Sequence, residues 1–307
     1  NTSYRRSSRG LGDVYKREAE AGVSGLASGL TGVGAGLRGR HVPEILAERP
    51  AVPFFELLTD NHLAPGGAAR FQAEAIAALY PVTLHGVGLS IGSVDPLDVD
   101  YLARVRSLAE ATDARLVSEH LAFIGCDDWL ANDLLPLPWT EEALDHVATR
   151  VAQAQDRLGR RLLLENISAY VRFADAAMSE IEFMTTLCER TGCGLLIDVN
   201  NAYVNGVNHG EDPTAWLASV PWHFAGELHV AGHRRSDGLL VDTHDAPVPA
   251  AVLELLAGLP PAAAHLPVLV EWDHRLPPWE TLAGEVDRVR RVRRDARVAA
   301  PARVVAA

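Results

Sequence analysis

Lysine is all but missing from this 307-residue chain: Lys16 stands alone, and every other basic side chain is arginine. A barrel enzyme that works through a lysine at its mouth, as sugar isomerases usually do, is thereby disfavoured. Bases are outnumbered by acids, 28 to 40, for a net charge of −12. That balance argues against non-specific nucleic-acid binding, which sets Lys and Arg against phosphates. Aromatic residues are only 6%, too few for the basic, stacking face of a nuclease. Cysteine is scarce too. Cys126, Cys188 and Cys193 are odd in number and carry no zinc-knuckle spacing, so neither a disulfide framework nor an Fe–S cluster is expected. Cys188 and Cys193 read as small core residues, and Cys126, just past a polar strand end, is the one placed near a site. No apolar run approaches the ~20 residues of a membrane helix. The opening NTSYRRSSRGLGDVYKREAE holds no apolar export segment, so the expected location is the cytoplasm.

In place of long apolar runs there are eight short ones, at 33–38, 53–60, 81–89, 115–123, 161–168, 194–202, 226–232 and 267–273. Each is nearly continuous, the pattern of parallel strands buried on both faces. Stretches of helical period separate them, among them AARFQAEAIAALY, VDYLARVRSLAEATD, TEEALDHVATRVAQAQDRLG and AAMSEIEFMTTLCERTG, the last closed by Gly192 as a C-cap. DPTAWLASV (212–220) is expected as the helix after the sixth strand, and RSDGLLVDTHDAPVP as a hairpin or excursion over the barrel mouth. No G-x-G-x-x-G follows the first strand, which removes the usual dinucleotide-binding sheet. The expected class is α/β, a single (β/α)8 TIM barrel of xylose-isomerase type, since such a barrel takes ~250 residues as one domain. Residues 31–295 would form it, with 1–30 as an N-terminal extension and 296–307 as a tail. The arginine run before that tail reads as a solvated helix face.

Six of the runs end on a residue able to bind a metal: His85, His120, Glu165, Asp198, His229 and Glu271. In a (β/α)8 barrel the C-terminal strand ends converge over the mouth, so six ends become one site. A His or Glu in mid-strand would be expensive to bury unpaired. Three imidazoles with three carboxylates suit Fe, Mn or Zn, and two or three cations would let so many acids share a pocket. Around them lie Glu56, Asn61 and His62, closing the second run, and Asn166, Asn200, Asn201, Glu227 and Asp273, next to the ligand positions. These are expected to orient ligands or to meet substrate. His233, Asp242 and His244 could furnish a third metal site from the excursion before the eighth strand, whereas His41, His146, His223 and His265 lie off the strand ends and read as ordinary residues.

In this order, the segments LHGVGLSIGS, SEHLAF, LLENIS, IDVNNAYVN, ELHVAGH, DTHDAPV and LVEWD resemble the DUF692 family, the multinuclear non-haem iron-dependent oxidative enzymes. Members include the oxidases of methanobactin and 3-thiaglutamate biosynthesis, and the likeness runs from about Gly32 to about Leu282. It implies a TIM barrel with two or three irons in a mixed Fe(II)/Fe(III) state. With O2 as co-substrate, these enzymes oxidise a Cys, sometimes an Asn or Asp, of a ribosomally made precursor peptide. By motif, His85, His120 and Glu165 would hold one iron, and Glu165 would bridge to a second held by Asp198, His229 and Glu271. A third, more labile iron would draw on the region of Asn201, His233, Asp242 and His244. A separate small partner protein presenting the peptide's leader is implied as well. On ligand types alone the competing expectation is a divalent-metal (Zn, Mn or Mg) isomerase or endonuclease-like hydrolase, which the acidic, aromatic-poor composition disfavours. A scaffold without activity would have no need to keep six ligand-bearing strand ends.

Overall fold

Each of the eight apolar runs forms a strand, and the eight close into one all-parallel barrel in the computed structural model, which describes residues 28–127 and 129–299. Expectations for residues 1–27 and 300–307 lie outside the described residues. In chain order the barrel strands are β1 (Val33–Leu37), β2 (Phe55–Leu58), β3 (Val82–Gly86), β4 (Val117–His120), β7 (Leu163–Glu165), β8 (Gly194–Asp198), β9 (Ala225–Val230) and β12 (Val268–Val270). Two antiparallel hairpins are added at the C-terminal ends, β5 (Phe123–Cys126) with β6 (Trp129–Leu135), and β10 (Arg234–Ser236) with β11 (Leu239–Val241). Helices follow the barrel strands and seal the outer face, and the main hydrophobic core lies between the two layers. None of the described helices is long and apolar enough to cross a membrane.

The inside of the barrel has its own chemistry. A strand alternates its side chains between faces, so every second residue points inward. At the bottom these are Phe54, Leu116, Leu163, Leu196 and Leu269, a cluster separate from the main core. Phe54 leaves no room beside it: a Cβ on Gly34 would fall 2.6 Å from its ring. Two residues higher, the same phase gives Glu56, Ser118, Glu165, Asp198 and Glu271, all buried. The apolar floor closes the barrel from below and the polar layers open only upward.

Several ends differ from the expected ones. β8 stops at Asp198 rather than running to 202, because the Asp198 carboxylate caps the helix Val199–His209 by accepting from the backbone N–H groups of Asn200 and Asn201. The 212–220 segment is therefore the second helix after β8, Pro213–Ser219. β2 gives way to a 3-10 turn at Thr59–His62, and β12 ends at Val270, before Glu271. The β10–β11 hairpin forms in the segment read as a hairpin or excursion, whereas β5–β6 is a hairpin that periodicity did not reveal. The last helix, Trp279–Ala299, runs across the expected junction at 295.

Candidate metal centre

His85, His120 and Glu165 sit at the top inward positions of three neighbouring strands, and register places His120 opposite Glu165. Their ligand atoms converge. His85 Nε2 lies 3.2 Å from His120 Nε2, and these two atoms lie 3.1 and 3.3 Å from Glu165 Oε2. The other ring nitrogens fix the tautomers. His120 Nδ1 donates to the Gly86 carbonyl at 3.0 Å, which can only accept. The Ser118 hydroxyl spends its proton on the Leu84 carbonyl and so accepts from His85 Nδ1 at 2.9 Å. Both Nε2 atoms are left with bare lone pairs facing a carboxylate oxygen that has no hydrogen-bond partner among the described residues. Burial pushes both imidazoles down, that of His120 to about 4, so neither readily takes a proton to relieve the contact. Three lone pairs held this close repel one another. In the apoprotein a proton on Glu165 relieves the repulsion, and a cation would do so for all three groups at once.

A second set shares Glu165. Its Oε1 lies 3.8 Å from His229 Nδ1, and the same nitrogen is 3.1 Å from Glu271 Oε2. Asp198 completes the set, with its second oxygen, Oδ2, buried and unpartnered among the described residues. Asn166 holds Asp198 in place from both sides, its Oδ1 accepting from the Asp198 N–H at 2.9 Å and its amide donating to the Asp198 carbonyl at 3.1 Å. Burial raises the Glu165 carboxyl well above the usual range, and its neighbours Asp198, Glu271 and Glu56 add to this while His229 opposes it. Asp198 is pushed up to about 7 by burial and by Asp242. Glu271 goes the other way, since His244 and His229 outweigh its burial. Without cations the cup is electrostatically frustrated, and the residues present fit a multinuclear metal centre on that ground.

Beneath His229 lie the two carboxylates of Glu56 and Glu227. Glu56 Oε2 meets His229 Nε2 at 3.2 Å and also accepts from the Thr83 hydroxyl at 3.2 Å. With Nε2–H directed at Glu56, a cation in the cup would take the Nδ1 lone pair in place of the proton that Nδ1 shares with Glu271, the orienting role of a carboxylate behind a histidine ligand. Glu56→Gln would exchange the charged acceptor for a weaker neutral one, leaving the His229 ring less firmly held and less basic. The expected outcome is a 10- to 100-fold loss of metal affinity at the second set, read by chelator competition. Unchanged affinity would show that Glu56 does not orient His229.

The outer set is looser. His244 Nε2 lies 2.7 Å from Asp242 Oδ1, and its Nδ1 is 3.3 Å from Asp273 Oδ2 and 3.4 Å from Glu271 Oε2. Asn200 bridges Asp242, at 2.6 Å, and His233 Nδ1, at 2.7 Å. His233 thus stands one residue further out, stacked on Tyr203. Asn201 lines the cavity, but its side chain is bound to the Asn166 carbonyl and the Ser168 hydroxyl. Asn61 does not join the site, being exposed on the 59–62 turn, and His62 is bound to the Ala69 carbonyl. Cys126 lies with Asp95 and Asp127 on the β5 hairpin, away from the cup. Cys188 and Cys193 are core residues, with their sulfurs 3.7 Å apart.

Two buried charged residues beside the cup escaped the sequence reading. Arg38 extends the inward phase of β1 above Gly34 and Gly36, is nearly buried, and forms an ion pair with Asp273 at the rim. Glu119 points to the opposite face of β4 from His120, accepts from the N–H groups of Leu89 and His120, and is pushed up to about 8 by burial. The cup opens into a cavity of about 180 Å³ whose walls include Asp133 and Leu134 of β6, Tyr170 and Thr243.

The profile of the RiPP precursor modification enzyme family MbnB/TglH/ChrH matches residues 32–294. A UPF0276 protein of Acaryochloris marina is 42% identical over 259 residues, covering 84% of this chain and 94% of that protein. A UPF0276 protein of Rhizorhabdus wittichii is 45% identical over 270 residues, covering 87% and 96%. Among solved structures, endonuclease IV from Thermus thermophilus superposes with a TM-score of 0.59 at 19% identity, covering 86% of this chain and 99% of that one. L-ribulose 3-epimerase does so at 0.55 and 14%, covering 90% and 99%. At such identities the likeness shows the xylose-isomerase-like barrel alone.

Proposed function

We propose, on the premise that this chain belongs to the MbnB/TglH/ChrH family of RiPP precursor modification enzymes, that its cup holds two or three irons and oxidises a cysteine of a ribosomally made precursor peptide with O2. The observation that carries the reading is the meeting of His85 Nε2, His120 Nε2 and Glu165 Oε2 within 3.1–3.3 Å, with each ring's Nδ1–H spent on Ser118 or Gly86 so that both Nε2 lone pairs face the carboxyl group. His85, His120 and Glu165 would hold one ion, and Glu165, Asp198, His229 and Glu271 a second. A third would draw on His244 with Asp242 or Asp273. Bound iron would supply Lewis acidity toward a thiolate and one-electron chemistry toward O2.

The chain's own residues account for the rest. The apolar floor keeps water from below, so a group in the cup is solvated only by the cavity. Tyr170 lines that cavity and accepts from the Asp242 N–H at 2.9 Å, which leaves its own proton to donate to a bound peptide carbonyl. Arg38 pairs with Asp273, which lines the cavity at its rim. A separate leader-presenting partner protein and a cytoplasmic setting belong to the same reading.

The test is anaerobic reconstitution with Fe(II), metal analysis, then O2 with cysteine peptides encoded beside this chain. The expected result is two to three irons per chain, an absorption change in air and an altered peptide mass. Zinc or magnesium as isolated, no change in air and unmodified peptides would sink the proposal in favour of a hydrolase or isomerase.

A further inference from the structure

Beside the cup lies a larger hollow of about 510 Å³. The two share walls. In the β6 segment Asp133 and Leu134 face the cup while Leu137 and Trp139 face the hollow. In the loop after β7, Ser168 and Tyr170 face the cup while Val171 and Phe173 face the hollow. A chain whose reactive residue sits in the cup therefore has its continuation in the groove next door.

The groove's chemistry is specific. Val171 and Phe173 are large apolar residues left 60% and 45% exposed on its edge. Exposed apolar surface grouped at a cavity mouth marks an interaction site. Three carboxylates, Glu180, Glu182 and Glu211, line it against one cation, Arg172, which Glu211 already binds through both oxygens. The groove is thus apolar along its edge, with the Glu211–Arg172 pair neutral, Glu180 pushed up to about 7 by burial, and Glu182 leaving it a residual negative charge. A second copy of this chain, at net −12, or an anionic lipid surface would be repelled.

We infer that this groove seats the segment flanking the modified residue of the precursor peptide, a short extended stretch with apolar and basic side chains. The inference rests on the reading above that the substrate is a peptide. It assigns recognition of the flank to this barrel itself, beyond whatever a leader-presenting partner contributes.

The experiment uses the full-length, iron-loaded protein and a synthetic peptide library with a fixed central cysteine and random flanks. Wild type is expected to select peptides with apolar and Lys or Arg residues on one flank. The exposed double variant Val171→Ser, Phe173→Ser is expected to bind those peptides at least tenfold more weakly, with unchanged iron content and melting temperature. Selection without flank preference, or equal binding by the double variant, overturns the groove assignment. If selected peptides are nevertheless oxidised in O2, the peptide reading stands while the groove fails. If wild type neither selects nor oxidises any member, the reading falls and the inference with it.

Discussion

Glu165→Gln is expected to make the metal-free protein more stable than metal-free wild type while abolishing metal uptake at both inner sets and all activity. The two effects have one cause. Glu165 is fully buried and shared between the sets, and Asp198, Glu271 and Glu56 all push against its charge. Without metal that charge is a liability, and a neutral amide of the same shape removes it. The gain should be about 1–3 kcal/mol at pH 8, the cost of a buried unsatisfied group. The sign of the pH dependence follows. Burial raises Glu165, Glu56 and Glu227, takes Asp198 to about 7, and carboxylate neighbours raise His229 and His244 despite burial. In each case the folded apoprotein binds more protons than the unfolded chain, so stability falls as pH rises above the carboxylate range. Glu271, His85 and His120 run the other way, the contribution of Glu271 being lost as pH falls below the carboxylate range and that of the two lowered imidazoles as pH falls through the ordinary histidine range. Metal-loaded protein should show the opposite slope, because its ligands must deprotonate to bind. Thermal melts of both forms from pH 5 to 9, with metal analysis, check this. A metal-free variant less stable than metal-free wild type, or one that keeps its full metal complement, would sink the account.

The barrel was legible because a strand covered on both faces leaves an unbroken apolar run, and eight such runs carry more information than any one of them. The six polar residues that meet in the cup were legible because each breaks its run at the same end. What stayed hidden lay in the period-2 phase. Counting back by twos from Glu165 gives Leu163, and from His229 gives Glu227, so inward and outward residues were separable on paper. The same count on β1 places Arg38 over the two small residues Gly34 and Gly36, yet one arginine after a strand reads as a solvated charge until its partner, Asp273, is known. Glu119 was missed for the converse reason: adjacent to His120, it must face away, and only packing against Leu89 and Tyr101 shows it is buried. The first turn of the helix Val199–His209, residues 199–202, was read as the end of a strand since VNNAYVNGVNH holds four Asn and a Gly, poor helix formers. The capping carboxylate of Asp198 and burial against the barrel override that weak preference. In the β5–β6 hairpin, an irregular register between Phe123 and Gly125 blurs the alternation that would have marked it.

Gly232→Ala is expected to cost about 3 kcal/mol and to remove the metal proposed for the outer set while sparing the one proposed for His85, His120 and Glu165. Gly232 follows β9 where the chain bearing the outer ligands crosses it. A Cβ there would lie 2.1 Å from the Ala246 carbonyl oxygen and 2.9 Å from that of Pro247, both backbone atoms with no rotamer to give. The Gly232 carbonyl also accepts from the His244 N–H at 2.9 Å, and the His244 carbonyl accepts from Asp273 and His274 at 2.7 and 3.1 Å. His244 is held at φ 45°, a conformation a β-substituted residue adopts only when its surroundings impose it. The methyl group must therefore displace the whole 244–247 segment, and His244 and Asp242 move off the rim with it. His85, His120, Glu165 and Asp198 hang on other strands and keep their places. Gly210→Ala provides the control. That glycine has φ 72° at a helix end with open space around it, so its substitution should cost about 1 kcal/mol of backbone strain and no metal. Melting temperature and metal stoichiometry of the two variants decide the matter: equal metal loss, or a Gly232→Ala protein as stable as wild type with all its ions, would show that the crossing of these two segments does not position the outer set.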